Sequence, residues 1–114
     1  MRREFTGVIV EESLEDNRLI NSFEIVQVRI TNEEDPQSRW HLYTVTASES
    51  EIDGLSTVLK PRWYAHFWKG TIVIVIFRNK RFLFELADER SREAAVTHGM
   101  SLGIPRTQLN FPID

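Results

Sequence analysis

With 114 residues, of which 41% are hydrophobic and 27% charged, the chain has the size and make-up of one globular domain, 1–114, able to close a core without staples. Cysteine is absent, which excludes disulfide and thiol chemistry, and the longest apolar run, 72–77, falls far short of the roughly 20 residues a membrane-spanning helix needs. The formal charge of −3 is split unevenly, because residues 1–57 hold 12 acidic and 5 basic side chains (−7) whereas residues 58–114 hold 5 acidic and 9 basic (+4).

The start of the chain has Arg2 and Arg3 but then Glu4, Glu11 and Glu12 in place of a long apolar run, so it is not the pattern of a signal peptide and a cytoplasmic location is expected. Residues 5–10 read as a strand. Ser13 and Asp16 stand in capping-box spacing, which predicts a short helical turn running to Ile20. Residues 23–30 alternate as a half-buried strand, with Phe23, Ile25 or Val26, Val28 and Ile30 inward. The polar stretch 31–38, with Pro36, reads as a mobile loop. Residues 40–47 return as a strand that pairs with 23–30 as a wide hairpin. Ser48 and Glu51 form a second capping-box pair, and Ile52, Leu55, Val58 and Leu59 make one helical stripe that Pro61 ends.

The stretch 63–86 organises the rest. Three β-branched and aromatic runs are separated by Lys69-Gly70 and by 78–81, the usual chemistry of hairpin turns, so a three-stranded antiparallel meander is predicted. With even-numbered loops, one face carries Trp63, Ala65, Phe67, Ile72, Ile74, Ile76, Leu83 and Glu85. The other carries Tyr64, His66, Trp68, Val73, Val75, Phe77, Phe82, Phe84 and Leu86. Both faces are mainly apolar, so each needs a cover. Asp88 is a good N-cap for a helix from Glu89 to about Leu102, with Ala94, Ala95, His98, Ser101 and Leu102 along one side, Gly103 at its end and Pro105 beyond. Leu109 and Phe111 are expected to dock. The fold class is α+β: a mainly antiparallel sheet of about five to six strands with the two longer helices packed on one face.

The segments Arg62-Trp63-Tyr64-Ala65, Val75-Ile76-Phe77-Arg78-Asn79-Lys80, His98-Gly99-Met100-Ser101-Leu102-Gly103-Ile104-Pro105 and Gln108-Leu109-Asn110-Phe111, with Phe5-Thr6-Gly7 and Glu12-Ser13-Leu14, resemble a family of small uncharacterised prokaryotic proteins. The resemblance spans most of the chain and implies a cytoplasmic single domain. It carries no activity and no catalytic residue across.

Chemistry therefore has to be sought in the residues themselves. No phosphate-binding glycine pattern and no nucleophile elbow occurs, and His41, His66 and His98 stand on separate elements without metal-ligand spacing, so no metal and no cofactor is expected. His66 lies between Tyr64 and Trp68 on an aromatic face, where a histidine serves either as a ligand contact or as a packed side chain. Between 60 and 81 there are six basic residues, Lys60, Arg62, Lys69, Arg78, Lys80 and Arg81, and no acidic one, which marks either an anion-binding edge or solvated turns.

Aromatic and basic residues interleave as in a single-strand nucleic-acid platform, but the acidic balance argues against that partner. The candidate ligand or interface residues are Arg62, Trp63, Tyr64, His66, Trp68, Arg78 and Lys80. The first reading is a non-catalytic interaction domain that self-associates as a homodimer through the apolar sheet face. The second is a pocket between sheet and helix for a small anionic ligand, or an enzymatic site there.

Overall fold

The computed structural model describes residues 2–111. Six strands, β1 (Phe5–Val10), β2 (Glu24–Ile30), β3 (His41–Ala47), β4 (Ala65–Lys69), β5 (Ile72–Phe77) and β6 (Lys80–Glu85), form one antiparallel sheet in the order β2-β3-β1-β4-β5-β6. Two longer helices, α1 (Glu49–Ser56) and α2 (Glu89–Ser101), complete the expected α+β fold.

The meander forms in the expected register. Phe67 sits opposite Ile74 and Ile74 opposite Leu83 on one face, while His66, Val75 and Phe82 align on the other. Both connections are two-residue turns, Gly70-Thr71 and Arg78-Asn79, and the backbone takes positive φ at Gly70 (59°) and Asn79 (56°), residue types suited to it.

Each face of the meander has its own cover, and this corrects the placement of both helices on one face. α1 contributes Ile52 and Leu55 to a core that includes Phe5, Ile9, Phe67, Ile74 and Ile76. α2 contributes Ala95 and Val96 to a second core with Val73, Val75, Phe77 and Phe84, sealed by Ile104, Leu109 and Phe111. Successive side chains of β5 point to opposite faces, so the helices lie on opposite sides of the sheet. The composition of β5 requires this, since its residues 72–77 are apolar on both faces and each face needs its own cover. Most apolar side chains of the meander are therefore covered from within the chain, and Leu83, on β6, is the large one that stays exposed (52%).

Local differences follow from specific contacts. The box at Ser48 and Glu51 forms as expected, with both reciprocal hydrogen bonds, at 3.3 and 2.9 Å. Ser13 instead turns its hydroxyl onto the Val10 carbonyl at 2.6 Å, so 11–13 and 17–22 form two separate 3-10 turns, the second capped by Asp16. The stretch 31–38 contains a 3-10 turn, Pro36–Ser38, capped by Asp35. α1 ends at Ser56, ahead of Pro61, because Leu59 is taken into a bridge with Leu14. The buried side of α2 is Ala95, Val96 and Gly99, not the stripe through Ala94 and Ser101. A Cβ on Gly99 would lie 2.7 Å from Leu109 Cδ2, so this glycine lets the tail close on the helix.

β2 departs most from expectation. Every residue of Glu24–Ile30 is exposed, and only Phe23, just before it, is buried. It is a terminal strand of the sheet, beyond the reach of α1, and a bulge at Val26 breaks its pairing with β3 between Ile25 and Gln27.

Candidate functional site

One end of the sheet collects the end of β1, the start of β3 and the start of β4. There, a groove of about 400 Å³ is lined by Val8, Val10, Trp40, 62–66, Ile104 and Gln108. That volume lies in the lower range of small-molecule sites. The lining is mainly apolar: Trp40 and Trp63 meet edge to face at 5.2 Å between ring centroids, and Tyr64 stands edge-on to Phe111 at 5.6 Å. Such offset arrangements hold the rings in fixed orientations. The Tyr64 hydroxyl donates to the Gln108 carbonyl, pinning the tail to the strand, and burial pushes its pKa up to about 12, so it stays a neutral donor.

Arg62 stands at the mouth of the groove, on the turn that feeds β4. The Trp63 amide donates to the Lys60 carbonyl at 3.2 Å, Pro61 occupies the second position and Arg62 the third with φ of 71°. This is the pattern of a type II turn, whose third position normally falls to glycine. For arginine it costs roughly 1 kcal/mol or more. Its guanidinium lies beside the end of α2, where a Cβ placed on Gly103 would be 3.9 Å from Arg62 Nε. Among the described residues, no carboxylate comes within ion-pairing distance of it.

Of the other five basic residues of 60–81, all but Lys60 make a side-chain contact within the described residues. Lys69 Nζ meets Glu4 at 2.5 Å, Arg78 pairs with Glu15, and Arg81 holds both Asp53, at 3.0 Å, and Glu49, at 2.5 Å. Lys80 lies over the Phe82 ring at 5.5 Å. The acidic first half and basic second half of the chain thus meet largely within the fold, and they do not form one cationic edge.

Of the residues singled out in the sequence, Arg62, Trp63, Tyr64 and His66 come together in the groove. Trp68 continues the row, its ring 5.5 Å from that of His66, but lies outside the lining, and so do Arg78 and Lys80. Nor do the rings form an exposed stacking platform: Phe67 and Phe77 are fully buried, and Trp63, Tyr64, His66 and Trp68 are half-buried. Sequence reasoning missed Val8, Val10, Trp40, Ile104 and Gln108, which reach the site only through tertiary pairing. For the valines the usable signal was the β1 alternation, which puts Phe5, Gly7 and Ile9 on the buried face and Val8 and Val10 on the other.

A second hollow, of about 390 Å³, lies between α2 and the tail, and three of the four charged side chains that line it, all but Glu89, are engaged within it. Arg106 is bidentate to Glu93, at 2.8 Å on each oxygen, and Arg92 donates to the Asn110 carbonyl. Elsewhere His41 Nδ1 meets Glu12 at 2.8 Å, and His98 packs against Phe77 and Phe82. Among the described residues, no group of three metal-ligating side chains is assembled and no helix is long and apolar enough to cross a membrane. No protein-family model matches the chain, and comparisons with curated proteins and with solved structures return no significant match either.

Proposed function

We propose that the chain is a binding module whose groove takes a small organic anion with a flat apolar body. The anionic group meets Arg62, and the body lies against Trp40, Trp63, Tyr64, Val8 and Val10. The observation that carries this reading is Arg62 itself: it occupies a turn position better suited to glycine, it has no carboxylate partner among the described residues, and it stands at the mouth of the aromatic groove. A guanidinium fork recognises a carboxylate in bidentate fashion. The groove supplies apolar walls and few convergent polar groups, which suits binding more than bond-making.

Isothermal titration calorimetry with naphthoate and with its neutral counterpart, naphthalenemethanol, tests the reading. Naphthoate is expected to bind at one per chain and the alcohol about tenfold or more weakly, since charge-assisted hydrogen bonds contribute about 1.5 to 3 kcal/mol. Arg62→Lys keeps the charge but loses the fork and should weaken naphthoate binding. Equal affinity for the acid and the alcohol, or no binding of either, would remove the proposal.

A further inference from the structure

We infer that β2 is a docking edge for a second copy of this chain, which pairs with it antiparallel and continues the sheet from one copy into the other. Four apolar side chains stand exposed on this one strand, Ile25 (43%), Val26 (61%), Val28 (50%) and Ile30 (50%). Terminal strands usually carry lysine, proline or inward-pointing charge against such pairing, and β2 has neither lysine nor proline. The strand does carry one bulge, at Val26, and the charges Glu24 and Arg29, but an edge with a row of exposed apolar side chains is still a template for strand addition.

The pattern along β2 is self-complementary, which is what selects a second copy as the occupant. Ile25, Val28 and Ile30 sit opposite Val45, Tyr43 and His41 of β3, so they share one face. Glu24, Gln27 and Arg29 sit opposite Thr46, Thr44 and Leu42, and share the other. The bulge at Val26 creates this phase; without it Glu24 and Arg29, five places apart, would fall on opposite faces. A two-fold axis perpendicular to the sheet, passing between Val26 and Gln27, then sets Glu24 of each copy against Arg29 of the other. The same axis sets Ile25 against Val28. Both of these opposed pairs share a face, as an antiparallel ladder requires, and both ends carry opposite charges. Arg29 has no carboxylate partner among the described residues of its own chain, and Glu24 accepts from the Thr46 hydroxyl at 2.8 Å and feels the charge of Arg3 without forming an ion pair with it.

Sedimentation equilibrium on the full chain, over a concentration series into the millimolar range, tests the inference together with three variants. The unmodified chain is expected to dimerise. Glu24→Arg and Arg29→Glu each set like charges opposite one another and should weaken the dimer about tenfold or more. The double variant Glu24→Arg/Arg29→Glu restores opposite charges in the same register and should recover the dimer. Both side chains concerned are exposed, and unchanged circular dichroism identifies variants that keep the fold. A chain monomeric throughout the series overturns the inference. So does a dimer indifferent to the single reversals, or one that the double reversal does not restore, since association would then run through another surface. Ligand binding in the groove enters none of these readouts.

Discussion

The two halves of the sheet are built to different specifications. Over β4, β5 and β6 the sheet is the middle layer of three, with α1 on one face and α2 with its tail on the other, and Val73 to Phe77 are fully buried. Over β1, β3 and β2 only the first face has a core. Among the described residues, none from these strands belongs to the core beneath α2, and β2 is exposed along its whole length. The groove runs along the boundary, where Tyr64, Ile104 and Gln108 mark the edge of the covered half and Val8, Val10 and Trp40 begin the open one. The sheet is thus covered unevenly: the closed half is buried on both faces, while the open half shares the first core through Phe5, Ile9 and Val45 and leaves its other face without a core and β2 exposed.

The contrast breaks most visibly at Ile74. Ile74→Ala, in the centre of the closed half, should cost about 2 to 5 kcal/mol in denaturant melts through transfer and cavity terms. Val28→Ala on β2 should stay within about 0.5 kcal/mol in the dilute monomer. Comparable losses at the two positions would contradict the division.

A smaller effect is expected where the tail closes the second core. Gly99→Ala puts a Cβ 2.7 Å from Leu109 Cδ2 and 3.3 Å from Phe77, and should cost about 1 to 3 kcal/mol in the same melts while loosening the tail. Arg62→Gly should have the opposite sign: at φ of 71° glycine relieves the turn, so stability holds or rises by up to about 1 kcal/mol while naphthoate binding is lost. Loss of both would make Arg62 structural.

The smallest effect is on pH dependence. The hydrogen bond to Glu12 holds His41 above its ordinary value. Burial pushes Glu12 up, but the hydrogen bonds from His41 outweigh it and leave that carboxyl below its usual range. A raised histidine contributes stability that is fully present below its unfolded pKa of about 6.5 and lost as pH rises through the folded value. The stability difference between the unmodified chain and Glu12→Gln should therefore shrink as pH rises above about 6.5. His98, lowered by burial and then by Lys80, has the opposite sign, losing stability as pH falls, and it cancels in that difference. A difference that is flat across neutral pH would mean the clasp carries no linked proton.

Much of the closed half was legible because period-two alternation and two-residue turns fix which side chains of 63–86 share a face. Asp88 and the box at Ser48 and Glu51 likewise announced their helices. The side of the sheet that each helix covers was not legible, since an amphipathic stripe states that a face is buried but not against what. β2 misled for a related reason: Ile25, Val28 and Ile30 alternate as they would in a covered strand, and only its terminal place in the strand order leaves them exposed. Half of the groove could be read as the contiguous run 62–66. Trp40 and Gln108 are distant in the chain and join it only through strand pairing and the docked tail.

The central claim, that ligands enter at the boundary of the open half, is tested most directly by an amide NMR titration of the full chain with naphthoate. Saturable shifts are expected at 8–10, 40, 62–66 and 104–108, including the indole N–H groups of Trp40 and Trp63, with 73–77 unmoved. Shifts confined to the hollow beside Arg92, Glu93 and Arg106, or no saturable shifts, would contradict it.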